Sequence, residues 1–340
     1  MFSAQPTSNH LTRIHPESAR DGAAKEKFSL LLFFATVVLT LAGLCGILVL
    51  VVPSVWRTQI SASWGALAGV FLVTHFAAAF VEFFFHRYVL HAPLVPFLSY
   101  FYRQHTLHHA LTRVSYRRTG SSRGELPCLV EVENRYPIVE SKQHEASFFP
   151  WYSLAVFSLL GSLVFAPLQW LMPQTPVFLG GYVGIAWSLT LYELIHAAEH
   201  LPPEWWNRRL EHPARGRFWR RVYAFHIRHH ADIRCNEAIS GVFGLPLVDL
   251  LFGTYLNMEN VYPHGRPVDL REFASPQPRF GFIRWLDRAA EKSIQRRREG
   301  RRSEKPAGEN DHSMDAPAPG AAAKTGLTVR HPSTAQVRSS

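Results

Sequence analysis

Cysteine is scarce in this chain: Cys45, Cys128 and Cys235 are far apart, odd in number and without a CxxC pair. That excludes a disulfide framework of the small secreted kind. The sequence also lacks HExxH, the helical signature of many zinc hydrolases, and it has no internal repeat. Most informative is where positive charge is missing. Four blocks, roughly Phe28–Pro53, Ser61–Phe85, Phe148–Met172 and Thr175–His196, contain no Lys or Arg. Each meets the length of about 20 apolar residues that a helix needs to cross a hydrocarbon layer about 30 Å thick. A buried core helix of a soluble protein would explain one such block, but four in one chain indicate four spanning helices. The first block follows 27 mostly polar residues and is too long for the apolar core of a cleaved signal, so it is expected to remain as a span.

Basic residues set the expected orientation. Of 36 Lys and Arg, only Arg57 lies between the first and second blocks, and none lies between the third and fourth. The N-terminal tail, the central loop and the C-terminal region carry the rest, and the positive-inside tendency puts all three in the cytoplasm. The net charge of +10 therefore reads as an orientation signal with added attraction to anionic lipid. It does not read as a nucleic-acid footprint.

Histidine is what the chain has in excess. Ten of its 18 histidines fall in four short windows that together cover 21 residues, where even placement puts about one. The windows hold His86 and His91; His105, His108 and His109; His196 and His200; and His226, His229 and His230. With both termini inside, all four lie on one membrane face. Neutral imidazole suits iron, zinc and copper, and ten rings exceed the four positions of one tetrahedral zinc, so two metal ions fit the count. In HTLHH and HIRHH, positions i, i+3 and i+4 share a helix face. His105 can join His108 or His109 in one cavity, while His108 and His109, about 100° apart on a helix of 3.6 residues per turn, can address two metals. His196 and His200 stack one turn apart. His86 and His91, at i and i+5, diverge on an ideal α-helix and can both ligate only if the helix frays before Pro93.

Ionisable groups inside spans are costly and call for a reason. Glu82 lies one turn before His86, and Glu193 three residues before His196. Each is placed to accept the free ring N–H of a ligand histidine, orienting it and raising its basicity. Glu199, Asp232 and Asp249 are further candidates. His75, deeper in the second block, reads as structural or as supporting the ligands.

Outside the blocks, Phe97–Thr112 reads as a helix, Ser115–Gly124 as a flexible polar stretch and the middle of the central loop as irregular. Arg215–His230 reads as another helix, and Leu245–Tyr255 is apolar but too short to span. In Phe280–Arg298, Phe280, Ile283, Leu286, Ala290 and Ile294 share one side. That helix lies in the membrane interface or packs on the domain. The expected fold is an all-α membrane protein, with four spans and a cytosolic helical cap carrying a dinuclear histidine site. Its divisions are a cytosolic tail at 1–27, a catalytic domain at 28–270, a basic amphipathic helix at 271–300 and a tail of disordered composition at 301–340.

From His86 to Tyr255 the chain resembles the membrane-bound fatty acid hydroxylase and sterol desaturase superfamily. HRYVLH, HTLHH, HAAEH and HIRHH are similar, in order, to its histidine boxes, and Pro246, Asp249 and Phe252-Gly253-Thr254 to its closing PxxDxxFGT segment. The resemblance implies ligand roles for the ten clustered histidines and an additional polar role for Asn236. It implies two iron ions, with zinc able to take their ligands in isolated forms, and dioxygen as co-substrate. The expected reaction is hydroxylation of a membrane lipid, a fatty-acyl or sphingolipid chain before a sterol or carotenoid, with desaturation as the close alternative. No fused haem electron-carrier sequence is present, so the electron donor is expected to be a separate haem protein, ferredoxin or reductase. The segment Leu111–Ser147, long for such proteins, is a candidate lid. From another class, a histidine-rich metal transporter would place its ligands near the bilayer midplane, where only His75 comes close.

Overall fold

The protein is described here by a computed structural model covering residues 29–118, 128–134, 149–201, 203–257, 267–268 and 274–304. The expected N-terminal tail at 1–27, residues 305–340 of the expected C-terminal tail at 301–340 and most of the candidate lid lie outside the described residues, while residues 301–304 are helical and not part of a tail. The chain is mostly helical. Among the described residues, four helices are long and apolar enough to cross a membrane: Leu30–Val51, Trp64–Leu90, Ser153–Leu171 and Val177–Glu199. They fall within or overlap the four uncharged blocks and make this a membrane protein.

The order is α1 (Leu30–Val51), α2 (Pro53–Ser61), α3 (Trp64–Phe85, continued by a π turn over His86–Leu90), α4 (Ser99–Leu111), β1 (Thr112–Arg118), β2 (Cys128–Asn134), α5 (Ser153–Leu171) and α6 (Val177–Glu199). There follow α7 (Pro203–Leu210), α8 (Gly216–Ala231), α9 (Leu247–Phe252), β3 (Pro267–Val268) and α10 (Gly281–Glu304). Ser29 and Ser63 cap α1 and α3 by accepting from Leu32 N–H and Ala66 N–H, satisfying N–H groups that a helix start leaves free. At the end of the molecule away from the histidines, Gln59 and Gln169 bond to each other and accept from Leu179 N–H and Val177 N–H. Backbone donors that the start of α6 leaves free are thus paired with side chains.

The spans α3 and α6 run side by side, and glycine sets how close they come. A Cβ on Gly184 would sit 2.8 Å from Thr74 Cβ and one on Gly180 2.7 Å from Val70 Cβ. Small residues spaced by four let membrane helices approach to backbone contact. This packing aligns the ends of α3 and α6, which carry His86 and His196.

One expectation needs correction. The chain is not purely α-helical: β1, β2 and β3 form an antiparallel sheet in that order, with Thr112 opposite Asn134 and Arg118 opposite Cys128. The sheet takes in Ser115–Arg118 of the stretch read as flexible and part of the loop read as irregular, because Arg113–Arg117 and Val130–Glu133 alternate apolar and polar residues over lengths that the flanking polar stretch disguised. Of the two placements expected for α10, packing on the domain is the one observed. Ile283 and Ala290 are buried, and Leu286 and Ile294 pack near Tyr88 and Ala92, so α10 is docked on the domain, while Phe282 and Trp285 at its start stay exposed.

Replacing Gly184 with Leu is expected to force α3 and α6 apart and destabilise the protein by about 1–3 kcal/mol, the usual range for overpacking. Gly43→Ala, with open space around its Cβ, should leave the unfolding temperature in detergent unchanged. Equal stability of Gly184→Leu and the wild type would contradict the close α3–α6 packing.

Candidate metal centre

Four elements deliver the ten clustered histidines to one place: the π turn ending α3, and α4, α6 and α8. Nine of the ten are buried. Five of the ten, His86, His91, His105, the half-buried His109 and His229, each offer a ligand atom within 4.8 Å of every other, and His108, His200, His226 and His230 form a second such group. His196 lies beside the second group, its Nε2 3.1 Å from His108 Nε2. The groups are neighbours, since the His109 and His230 rings stack with centroids 4.1 Å apart.

Helix geometry explains the division. On α4, His105 and His109 (i and i+4) serve the first group and His108 (i+3) the second. On α8 the assignment is exchanged: His226 and His230 serve the second group and His229 the first. Each HxxHH sequence therefore straddles both groups. The pairing of His86 with His91 has a different cause from the expected fraying. The π turn carries a backbone bond from His91 N–H to His86 O, and this i to i+5 closure brings the two residues onto one face. Such single π turns occur often at functional sites.

Hydrogen bonds fix several ring tautomers. His86 Nδ1 lies 2.6 Å from Glu237 O, His229 Nδ1 2.8 Å from Cys235 O and His230 Nδ1 2.9 Å from Thr112 O. A carbonyl can only accept, so each Nδ1 carries the proton and each Nε2 presents a bare lone pair. Those lone pairs face other ring nitrogens. His105 Nε2 lies 3.0 Å from His86 Nε2, 3.1 Å from His91 Nε2 and 3.2 Å from His109 Nε2, and one N–H cannot serve three neighbours. In the second group His226 Nε2 lies 2.8 Å from His200 Nε2 and 3.0 Å from His230 Nε2.

Burial, reinforced by neighbouring imidazoles, holds His91, His105, His108, His109, His200, His226 and His229 well below the ordinary histidine range. His230 is pushed down by burial to about 3, against the opposing bond to Thr112. The rings are neutral at physiological pH, as metal ligation requires.

The donor set fits metal ions. With metal–imidazole bonds of about 2.1 Å, nitrogens on adjacent octahedral corners stand about 3.0 Å apart and those on tetrahedral corners about 3.4 Å. The ring-nitrogen contacts, from 2.8 to 3.2 Å, match the former. The groups have the make-up of histidine-rich metal-binding clusters in a membrane protein.

The supporting residues differ from expectation. Glu82 contacts no clustered histidine; its carboxylate accepts from the backbone N–H and the hydroxyl of Ser240. Glu193 accepts from Phe149 N–H. Asn236 ties Phe225 and Leu256 together through their backbones, and Asp249 accepts from Glu237 N–H, Ala238 N–H and Thr254 Oγ1. His75 is structural, bonded to Ser188 and to Phe243 N–H. Among the expected carboxylates only Glu199 faces a ligand ring, its Oε2 3.9 Å from His226 Nδ1. Asp232 pairs with Arg234 and Ser275.

Two supporting residues, Thr112 and Glu237, had no part in the sequence reading, and a third, Arg87, entered it only as a partner for Glu199 or Asp232. Thr112 serves two rings, through its carbonyl to His230 and its hydroxyl, 3.0 Å from His200 Nδ1. Glu237 is fully buried, its Oε2 3.8 Å from His86 Nδ1 and 4.0 Å from His229 Nδ1. Arg87 donates to Glu237 at 2.7 Å and makes a two-pronged bond to Asp287 of α10 at 2.8 and 3.0 Å. The signal for Thr112 was its position three residues after HTLHH, and that for Glu237 its place beside Asn236. No protein-family model, curated protein or solved structure matches the chain, so the site stands on its own geometry.

These buried neutral rings set a pH dependence. An unfolded histidine takes up a proton near pH 6.5, whereas the folded rings do so far lower, so the unfolded state binds more protons below that value. Stability is therefore full above about pH 6.5 and is lost as pH falls toward the folded value, about 3 for His230. Chelator-stripped protein should show an unfolding temperature that is level above pH 7 and falls steadily toward pH 4. A level profile down to pH 4 would contradict the burial of neutral rings.

Proposed function

We propose that this protein is an oxygen-dependent lipid hydroxylase of the membrane-bound fatty acid hydroxylase and sterol desaturase superfamily, with iron in each histidine group. The observation that carries this reading is the convergence of all four histidine sequences into two adjacent, nitrogen-only groups at one end of α3 and α6. His86, His91, His105, His109 and His229 would hold one ion, and His108, His196, His200, His226 and His230 the other. Two iron ions so held supply the power to use dioxygen on an unactivated C–H bond, with electrons from a separate haem protein, ferredoxin or reductase.

The chain's own part is positioning and exclusion of water. Carbonyls of Glu237, Cys235 and Thr112 hold three Nδ1 protons, which aims the matching Nε2 atoms inward. Asp249 and Thr254, from the PxxDxxFGT segment, clamp the backbone at Glu237 and Ala238, and so steady the loop that orients His86 and His229. Burial of the rings keeps bulk water away. The end of α3 and α6 that carries the groups faces the cytoplasm by the distribution of Lys and Arg. A lipid whose reactive carbon is close to its head group can reach that level from the bilayer. Ligands at span ends, not midway along them, also argue against a transporter.

Hydroxylation and desaturation differ in the product. Cells expressing the protein under labelled dioxygen should yield a lipid bearing one labelled oxygen atom; a product lighter by two hydrogens would assign desaturation. His108→Ala and His229→Ala, which open one group each, should abolish turnover and lower bound iron while leaving membrane insertion intact. Retained turnover in both variants would overturn the ligand assignment.

A further inference from the structure

The segment joining α8 to α9 makes an unusual path. Val242 and Leu245 exchange two backbone hydrogen bonds of 3.0 Å, closing a two-residue hairpin. Its central residues, Phe243 and Gly244, both have positive φ, 52° and 79°, the geometry of the tight turn that matches strand twist. A bulky residue such as Phe seldom adopts this region, and where one does the surroundings must hold it there. Gly241 just before it is also left-handed, with φ 47°.

The hairpin is held by α3. Phe243 N–H donates to His75 Nε2 at 3.0 Å, and Ser240 donates to Glu82 through both its N–H and its hydroxyl. The Phe243 ring lies 4.4 Å from the His75 ring, 6.3 Å from Phe71 and 6.2 Å from Trp187 of α6, measured between centroids. His75 precedes His86 by eleven residues, or about 16 Å along a helix, roughly half of a 30 Å hydrocarbon core. The chain then returns as α9, whose Phe252 packs on Phe80, Phe83 and Phe84 of α3.

We infer that residues 238–252 re-enter the bilayer beside α3 and α6 as a hairpin followed by a short helix, and that their outer face contacts lipid acyl chains. Non-helical backbone at membrane depth persists only where protein satisfies its polar groups. Glu82 and His75, two otherwise costly polar groups in a span, supply the acceptors. The outer face is apolar: Phe243, Leu245, Leu247, Leu250 and Leu251 are all more than 40% exposed. It continues the exposed face of α3 at Leu72 and Phe76, so the hydrocarbon around α3 also covers the hairpin. This inference rests on α3 and α6 spanning a membrane and is independent of the reaction catalysed.

Spin labels test it in the full chain, reconstituted in phosphatidylcholine vesicles with Cys45, Cys128 and Cys235 replaced by Ala. Leu245→Cys, Leu247→Cys and Leu250→Cys are labelled with a nitroxide, with Leu72→Cys and Arg217→Cys as lipid and water references. All three labels should collide with dissolved oxygen severalfold more, relative to a water-soluble nickel chelate, than the label at Arg217. Nickel-chelate collisions at the Arg217 level, with Leu72 protected, would overturn the hairpin alone. The same result at Leu72 would overturn the spanning reading with it. In a chain with its cysteines intact, a benzophenone side chain at Leu250 should crosslink to phosphatidylcholine on illumination, and failure to form that adduct contradicts the inference.

Discussion

Bare imidazole nitrogens pointing at one another in a buried space are the constraint on which the structure turns. A ring whose Nδ1 proton is engaged by a carbonyl, as in His86, His229 and His230, has only a lone pair to offer at Nε2. Ring nitrogens crowd to 2.8–3.2 Å with too few N–H groups to bridge every contact, and a buried polar atom without a partner is expensive. A cation between them turns the same geometry from a liability into a binding site. The exchanged use of i+3 and i+4 on α4 and α8 builds two such places from two copies of one short pattern.

Polar groups within the spans follow a related rule. Several have a backbone or side-chain task that water would perform elsewhere. Gln59 and Gln169 close the start of α6, Glu193 takes Phe149 N–H, and Glu82 and His75 take the N–H groups of the 238–245 turn. Loop, spans and histidine groups are thereby one construction: the chain that orients His86 and His229 through Cys235 and Glu237 is continuous with the chain anchored on Glu82 and His75. Arg87 extends it outward, joining Glu237 to Asp287 of α10.

Much of this was legible in the sequence, because it depends on local spacing. Uncharged block length marked the spans, and the HxxHH spacing predicted that His108 and His109 would part company. What stayed hidden depends on tertiary approach. Glu82 seemed a partner for His86 because the two are a turn apart on one helix, yet a loop 158 positions away in sequence claims its carboxylate. Carbonyl acceptors at Thr112, Cys235 and Glu237 leave no trace in residue type, since every residue has a carbonyl. The π turn was invisible for a similar reason: nothing in HRYVLH distinguishes a widened turn from a frayed end. The strands lay in polar sequence whose alternation was too short to stand out.

X-ray absorption at the metal edge of protein purified from iron-replete cells tests the central claim most directly. The account predicts two iron ions per chain, each surrounded by nitrogen and oxygen neighbours at about 2.1 Å with no sulfur and no haem. A folded, active protein that holds no metal, a single ion, or an ion with sulfur neighbours would contradict it.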